Sequence, residues 1–291
     1  MNLQSFYQWC ELQGLSPKTI VGIKSAVGQL SRRVPDVFKA TDSQILEFFS
    51  KGKAEGFAGK PWGASNYNNI RKYLRKFYAW CVDCGYLEVS PVARIPRSKV
   101  PRRLPRRLSD EEKIRILYHA QNFPHPSKFL KSRNYAIIAT LLTTGLRISE
   151  LLGLKIQDAD LEKRSFRVVG KGNKERLVWF PKMLLPALGD YMQARMALAK
   201  QSIFFFVSYR SNKKLGYTNL RRMLLKIAKA SGLHFTAHQF RHTCFSLMAE
   251  QGVDLETIKE QAGHVSVATT QIYTKVSDRH RKDRVDRVNF V

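Results

Sequence analysis

Apolar residues recur at helical spacing through most of the chain, as on one face of an α-helix. Before residue 90 this pattern occurs in four blocks, each bounded by helix-ending signals. "NLQSFYQWCELQG" stops at Gly14, and "SPKTIVGIKSAVGQLSRR" opens with Ser16 as cap and Pro17 in the first turn. "TDSQILEFFSKG" runs from a cap to Gly52, and "SNYNNIRKYLRKFYAWCVDCGYL" ends near Gly85. Residues 109–160 also read as helices, beginning at Ser109 with acidic residues in the first turn, where they complement the helix dipole. The period then changes. Phe166–Val169 and Arg176–Phe180 are β-rich runs on either side of the turn "GKGNKE", which predicts a hairpin. Helical spacing resumes to the end; Thr236 and Gly252 bound one helix and Gly263 stops another. The expected class is mainly α. A helical domain over residues 1–92 precedes a mostly-α domain with a small antiparallel β-sheet (α+β) over 109–291.

Between them, residues 93–108 break the pattern. Arg94 to Arg107 carries seven positive charges, three prolines and no acidic residue. Proline denies it a continuous helix and charge disfavours burial, so an interdomain linker is expected. Over the chain, 50 Lys and Arg face 23 Asp and Glu, a formal net charge of +27. Such a surface attracts polyanions, of which double-stranded DNA is the densest common one. An anionic membrane surface or an acidic protein shares that charge argument. The candidate phosphate contacts are Arg71, Lys72, Arg75 and Lys76 on the fourth helix, and Arg97, Lys99, Arg102, Arg103, Arg106 and Arg107 in the linker. The hairpin turn adds Lys174.

Several classes are disfavoured. The apolar fraction of 44% is that of an ordinary globular protein. No apolar run reaches the roughly 18 residues that a membrane helix needs; "YAIIATLLTTGL" is too short and holds three threonines. No basic stretch followed by an apolar core opens the chain, so no signal peptide is expected. Four cysteines do not make a disulfide scaffold, and "CVDC" at Cys81 and Cys84 has no second pair to complete a zinc site. A soluble cytoplasmic protein with reduced thiols and no zinc site or membrane span is the expectation.

Four short stretches hold candidate chemistry. In "TAHQFRHTCFSLMAEQG", His238 and Arg241 lie three apart on one helix face. In "TTGLRISELLGL", Arg147 follows the break at Gly145 as a new helix begins, with Glu150 three residues on to hold it. Lys171 sits in the hairpin turn. In "AGHVSVATTQIYTKV", His264 lies at a helix break and Tyr273 on the next helix, capped by Ser266. Taken singly, each reads as a surface group, an ion pair or a packed aromatic.

Taken together, "TTGLRISELLGL", "GKGNKERL", "HQFRHT" and "AGHVSVATTQIYTKV", in this order and spacing, resemble the tyrosine recombinase (phage integrase) family, most closely its compact Xer-like members. The resemblance implies that Tyr273 is a nucleophile that forms a 3′-phosphotyrosyl link to DNA. It implies that Arg147 and Arg241 contact the non-bridging oxygens, that His264 completes the phosphate pocket, and that His238 assists proton transfer. Lys171, with Lys174 as the nearby alternative, would protonate the leaving 5′-oxygen, and Glu150 would support the site. It also implies a DNA-bound homo-tetramer whose C-terminal segment, ending here in "VNFV", docks on a neighbour, and a reaction needing neither metal nor nucleotide. The chain departs from the pattern at Ala262, where leucine is frequent, at Val265, where serine is common, and at Cys244, where alanine or another residue is usual. The same motifs on a catalytically silent regulator, or on a topoisomerase-like nicking-closing enzyme, are the alternatives.

Overall fold

The chain divides into two units, Met1–Arg103 and Leu104–Val291. The structure is a computed structural model that describes residues 2–56, 59–101, 106–170, 174–199 and 201–263. Arg102, Arg103, Lys171, His264, Tyr273, Val265 and the C-terminal "VNFV" lie outside the described residues.

The first unit holds the four expected helices: α1 (Leu3–Leu12), α2 (Pro17–Ser31), α3 (Asp42–Ala54) and α4 (Ala64–Asp83). The caps form where the sequence puts them. Ser16 accepts a bond from the Thr19 amide, and Thr41 and Gln44 close a capping box. On α4, Tyr67, Ile70, Leu74, Phe77, Tyr78 and Cys81 are buried against residues such as Phe6, Val27, Phe48 and Phe49. The opposite face leaves Lys72 and Arg75 exposed and Arg71 half-buried, while Lys76 lies 4.9 Å from the Trp9 ring. Cys81 is buried and Cys84 exposed, both as free thiols.

The proline- and arginine-rich segment is not a solvated tether along its whole length. Ile95 and Val92 are buried in the first unit's core. Tyr67 donates its hydroxyl to the Pro96 carbonyl at 3.1 Å, and Asn68 exchanges two bonds with Ser98. Arg71 Nε donates to the Ile95 carbonyl at 2.6 Å. At the other end, Leu108 is buried in the second unit's core and its amide donates to Thr243 Oγ1. The apolar residues between the charges anchor the backbone, while Arg97 and Lys99 stay exposed.

In the second unit, α5 (Asp110–Asn122), α6 (Lys128–Thr144) and α7 (Ile148–Gly153) lead into a three-stranded antiparallel sheet. Its strands are β1 (Ala159–Asp160), β2 (Ser165–Val169) and β3 (Glu175–Trp179), with Phe166 opposite Val178. The hairpin matches the sequence reading with both strands starting one residue earlier. The helical reading through residue 160 is corrected: a short 3-10 turn, Ile156–Asp158, and β1 close that stretch. Two residues carry no period of their own, and β1 exists through its pairing with β2. Four helices follow among the described residues: α8 (Leu185–Ala197), α9 (Tyr217–Ser231), α10 (Ala237–Glu250) and α11 (Leu255–Ala262).

Helix α6 lies at the centre, against α5, α8 and α10. It buries Phe129, Ala136, Ile137, Ile138, Leu141 and Leu142 on all sides, which is why its sequence is so apolar. No helix of the described residues is long and apolar enough to cross a membrane.

Candidate active site

Two helix ends and two helix starts converge at the expected site. Helix α6 stops because Gly145 adopts φ +64°, a left-handed conformation costly for other residues. A Cβ there would also meet the Phe245 ring at 2.5 Å. The turn places Arg147 at the start of α7. Its backbone N–H donates to Glu150 Oε2 and its Nη1 to Glu150 Oε1, both at 2.8 Å. Helix α11 ends at Gly263, φ +61°, also in the left-handed region.

Arg241 lies in the first turns of α10, whose cap is Thr236. It is 3% exposed, and its guanidinium donates to the Gly145 carbonyl at 2.7 Å and the Ala262 carbonyl at 2.6 Å. It also lies over the Phe245 ring, 4.8 Å from the centroid. Arg147 Nη2 reaches the Gly263 carbonyl at 3.4 Å. These bonds join groups 96, 21 and 116 residues apart in the chain. The segments that carry Arg147 and Arg241, and the one that runs on to His264, are thus tied together by guanidinium–carbonyl bonds. Ala262, one of the departures from the family pattern, contributes its backbone carbonyl; Cys244, another, is buried with its thiol pushed up to about 12 by burial.

Glu150 is the anionic centre, with its side chain 2% exposed. It accepts from Arg147 and, bidentately, from Arg176 of β3 at 2.9 and 3.0 Å. Burial pushes its carboxyl up, but the hydrogen bonds from Arg176 and Arg147 outweigh burial and hold it below the usual range. Arg176 Nε donates further to the Gln261 carbonyl at 3.2 Å. The Gln261 side chain in turn exchanges two bonds with the Trp179 backbone, docking α11 on β3.

Sequence reading missed Arg176 and Gln261. The signal for Arg176 was strand alternation: it shares the inward side of β3 with buried Val178 and, beyond the strand's end, Phe180. An arginine at an inward position needs a buried acceptor, and Glu150 is that acceptor. Gln261 left no signal, because a single glutamine near a helix end is ordinary.

His238 sits on the first turn of α10. Burial lowers its pKa, and the charges of Arg241 and Arg147 lower it further, so the ring is neutral near pH 7 and able to accept a proton. His242, one turn on, stacks edge-on to it with centroids 5.8 Å apart. Burial, with the charges of His238 and Arg241, brings its pKa down to about 4. A histidine with a depressed folded pKa favours the neutral form. The unfolded chain, titrating near ~6.5, binds more protons between these values. The stability from a neutral His242 is therefore complete above pH ~6.5 and lost as pH falls toward 4. The thermal midpoint should decline across that window in calorimetry, and His242→Gln should flatten the decline.

The other expected contacts are peripheral. Lys174 is exposed, and its carbonyl accepts from Gly170 at 2.8 Å across the hairpin end. Arg106 pairs with Glu112 at 2.7 Å and Arg107 with Glu250 at 2.9 Å. Among the described residues no group of three His, Cys, Asp or Glu could hold a metal ion. The site sets two guanidinia on one carboxylate and a third guanidinium on the neighbouring backbone carbonyls, a net positive environment suited to an oxyanion.

Residues 106–280 match the phage integrase family. Over 292 residues the chain is 33% identical to tyrosine recombinase XerA of Pyrococcus furiosus, covering 99% of this chain and 94% of that protein. It is similar to the crystal structure of XerA recombinase at 27% identity and TM-score 0.55, covering 99% and 98% of the two chains. It also shares the fold of XerH site-specific recombinase, solved bound to its palindromic difH substrate in a post-cleavage complex. That match has 22% identity and TM-score 0.72, and covers 92% of this chain and 79% of that one. Arg241 and Arg147 bond to backbone carbonyls 96 and 116 residues away in the chain, and on these matches the chain belongs to the phage integrase family of tyrosine recombinases.

Proposed function

We propose that this protein is a site-specific recombinase that cuts and rejoins double-stranded DNA through a 3′-phosphotyrosyl intermediate. The observation that carries the reading is the gathering of Arg147 and Arg241 on backbone carbonyls at the ends of α6 and α11, with both charges acting on His238.

Tyr273 Oη attacks the scissile phosphorus while the P–O5′ bond breaks. The tyrosine proton passes toward His238, because a phenol with a pKa near ~10 is a poor nucleophile until it is deprotonated. Negative charge grows on the non-bridging oxygens, where Arg147, Arg241 and His264 stabilise it; preplaced donors do so without reorganising. Lys171 gives a proton to the departing O5′, since an alkoxide leaves badly. The phosphotyrosyl ester conserves the bond energy, so a 5′-hydroxyl can reseal the strand without a nucleotide. Arg71, Lys72, Arg75 and Lys76 on α4, together with Arg97, Lys99, Arg102, Arg103, Arg106, Arg107 and Lys174, supply phosphate contacts that position without reading sequence. Exchange takes place in a homo-tetramer in the cytoplasm, with the C-terminal segment reaching a neighbouring protomer. The biological setting is mobile-element integration or excision, or the resolution of dimers or cointegrates.

The test is covalent trapping. Duplexes bound from a randomised pool define the site, and a nick beside the cleavage position lets the short fragment diffuse away. A covalent protein–DNA adduct whose tryptic peptide carries the nucleotide on Tyr273 is the expected result. An adduct on another residue, or none on any selected duplex, would overturn the proposal.

A further inference from the structure

We infer that Arg176 is a positioning residue for strand cleavage, one that takes up Glu150 so that Arg147 keeps its charge and its fork for the phosphate; this rests on the assignment of Arg147 proposed above. A carboxylate has about four acceptor sites, and Glu150 fills four. Oε1 accepts from Arg147 Nη1 and Arg176 Nη1; Oε2 accepts from the Arg147 backbone amide and Arg176 Nη2. The two arginines share it unequally. Arg176 gives both prongs of its guanidinium, whereas Arg147 gives one side-chain N–H.

The charge balance follows. One guanidinium on one carboxylate is neutral; two leave one net positive charge. Burial locates that charge, because the Arg176 side chain is 14% exposed and that of Arg147 is 37% exposed. Arg147 is therefore the outward member of the triad. Without Arg176, Arg147 would be the remaining described partner of a buried carboxylate and would close over it, losing both free charge and orientation.

Arg176 also joins three elements. It belongs to β3, holds the start of α7 through Glu150, and donates from Nε to Gln261 of α11. Gly263 follows from this. A Cβ there would lie 2.9 Å from the guanidinium carbon, so the bare backbone is what lets Arg176 lie flat against the end of α11.

The test compares full-length wild type, Arg176→Met and Arg176→Lys on nicked duplexes with an ordinary scissile phosphate or a methylphosphonate. In the latter a methyl group replaces one non-bridging oxygen, so the charge that Arg147 stabilises is gone. Arg147→Ala is the reference. On the phosphate, Arg176→Met should cleave about 100-fold more slowly in single turnover with DNA affinity unchanged, the loss expected when a reacting group is misplaced by about 1 Å. On the methylphosphonate, the gap from wild type should close for Arg176→Met as for Arg147→Ala. Arg176→Lys keeps the charge but not the fork, so it should show the same pattern with a smaller loss; it carries the test if the methionine variant does not fold. Equal loss on both substrates, or no loss on the phosphate, would overturn the inference. A wild-type protein that forms no adduct would instead remove the functional reading beneath it.

Discussion

Arg241→Ala should lower the rate of adduct formation by about 10³-fold, the scale of a lost charge-stabilising donor at a phosphoryl or acyl centre. It should also destabilise the second unit. The Gly145 and Ala262 carbonyls each lose a donor in a buried setting. At about 1–3 kcal/mol for each unsatisfied group, the cost is about 2–6 kcal/mol. The Phe245 ring loses its cation contact as well. Arg147→Ala separates the two effects. Arg147 is more exposed, and Glu150 keeps its bidentate partner Arg176 when Arg147 is removed. That variant should lose cleavage to a similar degree with a smaller fall in melting temperature. Single-turnover trapping and calorimetry on the same two proteins check both statements. An Arg241→Ala protein as stable as wild type would show that these carbonyls find other donors.

Glu150→Ala should also destabilise the second unit strongly. Removing one member of a buried charge cluster costs about 3–5 kcal/mol, because the partners stay behind uncompensated. Here two guanidinia would face each other, and the backbone amide of Arg147 would lose its acceptor. Glu150→Gln keeps the shape and removes the charge, so it should cost less. It should also change the acid limb of the stability curve. The folded carboxyl is held below its usual value, so its contribution is complete above the unfolded value near ~4.3 and lost as pH falls through the folded pKa. Wild type should therefore lose stability steeply below pH ~4, and Glu150→Gln should lose it less steeply. The order Ala, Gln, wild type in denaturant midpoint checks the first claim, and the pH slopes check the second.

Much of this architecture was legible in the chain. Ser16, Thr41, Ser109 and Thr236 cap helices where the sequence puts them, because a cap depends on residues three positions away. The hairpin was legible because alternation and a glycine-rich turn are local. Arg147, Glu150, His238 and Arg241 were legible as motif residues, and the structure places each at one end of a helix in the second unit.

Other features were not legible for identifiable reasons. The two residues of β1 have no periodicity, and they are a strand only through Phe166 and Ser165. The basic segment reads as kept out of a core by its charge, yet Ile95 near its start is buried in the first unit's core and its carbonyl accepts from Arg71 of α4, 24 residues away. Arg176 reads as one more cation in a chain with 50 Lys and Arg. Its difference from the others is its inward side of β3 and the carboxylate that waits there.

By itself, then, the sequence determined the helices, the hairpin, the family and the residue types able to handle a phosphate, because caps, periods and motifs are written in neighbouring positions. Only the tertiary structure decided which arginine is buried and which faces outward, and which carbonyls hold Arg241. It also decided that one carboxylate is shared by two guanidinia. Those outcomes depend on burial and on partners 21 to 116 residues away, where hydrogen bonds must be satisfied inside the fold.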